Sequence, residues 1–196
     1  CGLADAAVLA RALDDAALPP VQPYFMHFVF DALERCDLFD ERAASLMRRW
    51  EPMLREHPST LKENWDWGDW SHAWSGTPTY QLSARVLGIA PDEPGFKTVR
   101  IRPNPCGLDW AHGRVPTPHG DAVRVEWRIA DGRFSIEAHI PEGSVGHIVL
   151  PGKGPVSLNG KPLAAGDRRV LEMQSCGDNI HLRTMPGTYR LEVSIG

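Results

Sequence analysis

The sequence has no cysteine pair at CxxC spacing, no histidines at HxxxH spacing, no strongly basic stretch and no apolar run of membrane-spanning length. The first two absences speak against a zinc cage, and no metal or cofactor is expected. The third speaks against nucleic acid as a partner, and the fourth against a transmembrane helix. Cysteine itself is scarce: Cys1, Cys36, Cys106 and Cys176 are scattered. An even count leaves disulfides open, so compartment stays undetermined. Initiator Met and signal-peptide pattern are missing too, and an Ala-rich, helix-like pattern starts at once, so the sequence reads as a piece of a longer polypeptide. Internal repeats and low-complexity tracts are absent. What remains is ordinary globular composition, 42% hydrophobic and 23% charged, with 21 basic and 25 acidic residues giving a net charge of −4. At 196 residues the chain suits one large domain or two small ones and can bury most of its apolar surface.

The hydrophobic period divides the chain into a domain at 1–92 and another at 93–196. The first reads as helical. Leu3–Leu18 is rich in Ala and Leu and stops at Pro19-Pro20. Phe25, Phe28, Val29 and Leu33 fall on one apolar stripe of a second helix. A third has Asp40 as its expected N-cap and Leu46, Met47, Trp50, Met53 and Leu54 facing inward. Thr77-Pro78 predicts a further helix start, with Gly88 as the stop after Leu87. Residues 92–105 bridge the halves. In the second half Val123, Val125, Trp127 and Ile129 alternate with polar residues, and Phe134, Ile136, Ala138 and Ile140 alternate after the turn at Ala130–Gly132. Further short strands follow, one pair joined by Asn159-Gly160, which predicts an antiparallel β-sandwich.

Between the halves, residues 60–80 read TLKENWDWGDWSHAWSGTPTY, with four tryptophans around one glutamate and one histidine. Indole rings commonly serve cores and domain junctions. The sharper reading is a sugar cleft: C–H faces of a pyranose lie on indole, and its hydroxyls need convergent polar groups. Glu63 is then the candidate base, His72 a hydroxyl donor, and Trp65, Trp67, Trp70 and Trp74 the walls. Asp66 and Asp69 read as turn caps or solvated carboxylates. Glycoside hydrolysis needs two carboxyl groups, and this stretch supplies one convincing candidate.

The order of segments resembles the carboxyl-terminal part of bacterial α-L-rhamnosidases. The residues that carry the resemblance are PYFMHFVFDAL (23–33), STLKENW (59–65) and SHAWSGTPTYQLSARVLGIAPDEPGFKTVRIRPNP (71–105). They continue through GLDWAHGRVPTPHGDAVRVEW (107–127) and VSLNGKPL (156–163). The resemblance implies an α+β multidomain fold, with the last helices of an (α/α)6 barrel followed by an antiparallel β-sandwich. It implies inverting hydrolysis of terminal α-L-rhamnosides, with the general acid upstream of Cys1 in the missing N-terminal part of the polypeptide. The general base of a T-x-W-E segment maps onto Glu63, and a sugar-contacting histidine onto His72. Lys62 departs from the pattern, which often has Trp there, and a long charged side chain at that position is expected to point to solvent.

Two readings from different classes follow. In one, the chain is the C-terminal part of a rhamnosidase-type hydrolase, inactive alone, its partner a rhamnose-containing glycoside. In the other it is a non-catalytic carbohydrate-binding or structural module. A related barrel glycosidase acting on another sugar is a variant of the first. For the sandwich, Trp110, His112 and His119 are the surface candidates for carbohydrate, and Pro116–Gly120 is expected to be a rigid turn. Apolar helix faces at Phe25, Phe28 and Trp50 are expected to be exposed and to favour a homodimer.

Overall fold

The computed structural model describes residues 5–164 and 166–195. Cys1 and Leu3 lie outside the described residues. Two compact units divide between Gln81 and Leu82, earlier in the chain than the change of hydrophobic period at 92/93. No helix among the described residues is long and apolar enough to cross a membrane.

The first unit contains α1 (Ala6–Asp14), α2 (Met26–Arg35), α3 (Phe39–Met47), α4 (Glu51–Glu56) and α5 (Thr77–Gln81), with a 3-10 turn at Arg48–Trp50. Asp5 caps α1, its carboxylate accepting from the Val8 amide at 2.8 Å. The core is set by α2, through one member of the expected stripe. Leu33 is buried together with Met26 and Phe30, whereas Phe25 and Phe28 are more than half exposed, as expected of an open apolar face. Both sets obey helical spacing, and the packing partners decide between them: Phe30 lies 6.1 Å from Phe39 and 6.5 Å from Trp50. The expected third helix is broken into α3, the 3-10 turn and α4. Asp40 lies in the first turn of α3 and Leu38 is the cap residue. Phe39, Ala43, Trp50 and Met53 are buried while Leu54 is exposed, because the tighter 3-10 turn rotates the inward face. Trp50, expected on an open face, is only 2% exposed, and its indole N–H donates to the Ser75 carbonyl at 2.9 Å.

The second unit opens with a π-helical turn at Leu82–Val86, and Gly88, with φ of 90°, ends it. A five-stranded sheet takes the order β1-β2-β6-β10-β9 and a six-stranded sheet the order β3-β4-β5-β11-β7-β8. The strands are β1 (Ile89–Pro91), β2 (Thr98–Ile101), β3 (Trp110–Pro116), β4 (Ala122–Ala130), β5 (Arg133–Ile140), β6 (Val145–Pro151), β7 (Ser157–Leu158), β8 (Lys161–Pro162), β9 (Val170–Cys176), β10 (Asn179–Thr184) and β11 (Gly187–Ser194). The expected bridge at 92–105 therefore supplies β2. Pairing is antiparallel throughout except between β2 and β6, which run parallel. The alternation in β4 and β5 buries Val123, Val125 and Trp127 with Phe134, Ile136, Ala138 and Ile140, and the Trp127 indole N–H donates to the Val86 carbonyl at 3.2 Å. Asp131-Gly132 and Asn159-Gly160 both adopt positive φ, as two-residue hairpin turns require. Thr117 closes the Pro116–Gly120 turn, its hydroxyl donating to the Asp121 carbonyl at 2.7 Å.

Candidate functional site

The Trp-rich stretch folds as an irregular hairpin. Lys62 and Trp70 form an isolated antiparallel bridge. The Glu63 amide donates to the Asp69 carbonyl at 3.0 Å, and the His72 amide donates to the Leu61 carbonyl at 3.1 Å. The fully buried Ser75 braces its base, the hydroxyl donating to the Lys62 carbonyl at 2.7 Å while its own carbonyl holds Trp50. The hairpin is thus anchored in the helical core from beneath.

This extended pairing puts Lys62 and Glu63 on opposite sides. The Lys62 ammonium, expected in free solvent, lies 5.1 Å over the Trp70 ring and 3.8 Å from the Glu56 carboxylate, its side chain only 18% exposed. Its alkyl stem gains apolar contact while the charge keeps an anionic partner. Glu63 is half-buried, and its carboxylate makes no hydrogen bond or ion pair among the described residues. It lies against Gly68 (φ 96°), where an added Cβ would fall 2.8 Å from the Glu63 Cβ and 3.1 Å from its Oε2. Gly68 therefore both allows the turn and leaves room for the carboxylate. Sequence reasoning missed it, although the WGD tripeptide between the two arms is a turn signal.

The four indoles do not share one wall. Trp65 is turned into the packing, its N–H donating to the Val21 carbonyl at 2.7 Å and its amide to the Gln22 side chain at 3.2 Å. Its ring meets Trp50 edge-on at 4.6 Å, and the Arg49 guanidinium covers it at 4.2 Å. Trp70 packs edge-on against His57 at 4.3 Å. Trp67 stands out at 65% exposure. Trp74, about half exposed, lies 5.1 Å from His72 and 5.3 Å from Tyr24. Tyr24 continues to Phe25 at 5.0 Å and Phe28 at 6.2 Å. A row of half-open rings thus runs from His72 through Trp74 and Tyr24 to α2. Tyr24 is a member that sequence reasoning missed, because it is distant in sequence from the Trp-rich stretch. Phe25 and Phe28 also line an open apolar groove of about 580 Å³ with Leu9, Pro20, Val21 and Val29; Glu63 is not among its lining residues. In the same first turn of α2, the His27 Nδ1 lies 3.1 Å from the Thr77 hydroxyl, to which the buried Gln81 amide also donates at 3.1 Å.

In chemical terms the unit offers an unpaired carboxylate on a braced hairpin, and a row of aromatic faces led by an imidazole. The first is what a water-activating base needs, and the second can lie against C–H surfaces. Among the described residues no group of three or more histidine, cysteine, aspartate or glutamate side chains is arranged to hold a metal ion.

Residues 88–162 match the family described as bacterial alpha-L-rhamnosidase C-terminal domain. The alpha-L-rhamnosidase of Alteromonas sp. (strain LOR) is 32% identical over 82 residues, covering 41% of this chain and 9% of that protein. Among solved structures, the alpha-L-rhamnosidase from Dictyoglumus thermophilum superposes with a TM-score of 0.73 at 21% identity, over 86% of this chain and 20% of its own. The Streptomyces avermitilis alpha-L-rhamnosidase, complexed with L-rhamnose, gives 0.71 at 20% identity, over 85% of this chain and 17% of its own. The chain thus spans about a tenth of that curated relative and about a fifth of those solved structures. The two structural likenesses concern the fold.

Proposed function

We propose that this chain, whose likeness is to the C-terminal part of the bacterial alpha-L-rhamnosidases, supplies the water-activating base of an inverting glycoside hydrolase acting on terminal α-L-rhamnosides. In this reading α1–α5 are the closing helices of an (α/α)6 catalytic barrel, and the sheets of the second unit form its appended domain. The observation that carries the proposal is Glu63: a half-buried carboxylate with no cation on it, held on a hairpin that the core braces through Ser75.

The chemistry follows from two carboxyl groups. Glu63, ionised, takes a proton from a water on the sugar face opposite the leaving group. A second carboxylic acid, from a segment outside these residues, protonates the glycosidic oxygen. Oxygen of the water bonds to the anomeric carbon as the bond to the aglycone breaks, so the configuration inverts. That arrangement needs the two carboxyl groups about 6.5–9.5 Å apart. His72 donates to a sugar hydroxyl and Trp74 lies against a C–H face. Trp67 stands exposed at the hairpin tip and contacts the outer part of the glycoside. Trp65 and Trp70 act from behind, by fixing the hairpin.

The test is a full-length enzyme carrying this segment with Glu63→Gln. Removal of a general base lowers kcat by roughly a hundred- to ten-thousand-fold, read as hydrolysis of an aryl α-L-rhamnoside. Near-normal turnover would exclude Glu63 as the base.

A further inference from the structure

The second unit carries a trough of its own. On the outer face of the six-stranded sheet a trough of about 560 Å³ is lined by His112, Arg114, Arg124, Glu126, Glu137 and His139. The register puts like charges face to face. Arg114 is directly opposite Arg124 across β3 and β4, and Glu126 is directly opposite Glu137 across β4 and β5. Such cross-strand pairs weaken a sheet. Neighbouring groups relieve each pair on one side only. Asp121 binds Arg124 at 2.9 Å, and Arg190 binds Glu137 at 2.6 Å. Arg114 and Glu126 have no hydrogen bond or ion pair among the described residues. The trough therefore presents an uncommitted donor and an uncommitted acceptor on adjacent strands, beside partners already fixed in place.

At the edge of the sheet Trp110 is 53% exposed and stacks on His112, ring centroids 5.5 Å apart and planes 17° from parallel. The imidazole orients the indole, and half of the ring surface stays open. His139 is pinned at both nitrogens, 2.9 Å from Asp121 and 3.1 Å from the Thr188 hydroxyl. Held side chains lose little entropy when a ligand arrives.

We propose that this trough binds a neutral glycan, one pyranose lying on Trp110 and the next reaching its hydroxyls to Glu126 and Arg114. A hydroxyl donates and accepts at once, so it can bridge a carboxylate row and a guanidinium row. The lining is balanced, two arginines against two glutamates, which favours an uncharged ligand. The site lies wholly in the second unit and does not depend on Glu63.

The test is affinity electrophoresis of the full chain through gels containing arabinogalactan, galactomannan or xyloglucan, with polygalacturonate as the acidic arm. The expected result is retardation by at least one neutral polymer, weakened roughly tenfold by Trp110→Ala and by Glu126→Gln and unchanged by Glu63→Gln. Both substituted side chains are exposed, and a near-UV spectrum confirms that each variant is folded. Passage without retardation through every neutral gel, retardation that both variants retain, or retardation by polygalacturonate alone would overturn the proposal.

Discussion

Single residues in the Trp-rich hairpin divide its work in ways that composition conceals. Lys62 and Glu63 are neighbours in sequence, yet the ammonium is drawn to Trp70 and Glu56 while the carboxylate stays without a cation. In the proposed mechanism that separation leaves the Glu63 carboxylate free to accept a hydrogen bond from water. Gly68 makes the local geometry possible, and Gly68→Ala tests it. The new methyl group meets Glu63, and φ of 96° is strained for any side chain. The variant should lose on the order of 1–3 kcal/mol in urea unfolding. Its activity in the full-length enzyme should fall with kcat, since the carboxylate is displaced. Wild-type stability and turnover would mean that the Gly68 turn does not set the position of Glu63. The sequence marks Glu63 and His72 only as polar members of the stretch, and their roles belong to the proposal. The fates of the indoles were not legible in it. Whether an indole forms a wall or a buttress depends on partners such as Val21 and Arg49, which only the fold brings to Trp65.

At the level of elements, period-two alternation was the more reliable guide. The β4–β5 hairpin follows from residues 122–140 because one buried face fixes the register, and a slip of one residue would turn Val125 and Trp127 outward. Both two-residue turns were equally readable from Asp131-Gly132 and Asn159-Gly160. Helical faces were harder. The α2 sequence carries aromatic rings at Phe25 and Phe28 beside Met26 and Phe30, Leu33 falls in helical spacing with Val29 and with Phe30, and periodicity alone does not rank the two faces. Phe39 and Trp50 do, by occupying the side that Phe30 faces. The 3-10 turn at Arg48–Trp50 and the π-helical turn at Leu82–Val86 left no local mark either. Each is a change of hydrogen-bond partner within a sequence that suits an ordinary helix. The parallel pairing of β2 with β6 joins segments far apart in sequence, which strand patterns do not report.

The whole molecule has two units with different chemistry. In the second, pairing of exposed carboxylates with neighbouring donors favours their ionised state. His139 is the main cause for Asp121, with the Ala122 amide and Arg124, and together they lower its pKa to about 2. Arg169 does the same to Asp167, also to about 2. Both values lie below the ordinary 3.8, so this stabilisation is present above pH 3.8 and is lost as pH falls through about 2. Thermal unfolding of the chain should show a falling midpoint between those limits, and Asp121→Asn should flatten part of that slope. An unchanged slope in the variant would show that the Asp121–His139 contact is not held in solution. The first unit supports the catalytic reading, and one measurement addresses it most directly. In a full-length enzyme carrying this segment, Glu63→Ala should leave a vacancy opposite the leaving group, so that azide can attack an activated aryl α-L-rhamnoside without a base. NMR of the product should show β-L-rhamnosyl azide, formed at a rate that rises with azide concentration. No azide product, or an α-linked one, would contradict Glu63 as the residue that primes water on the far face of the sugar.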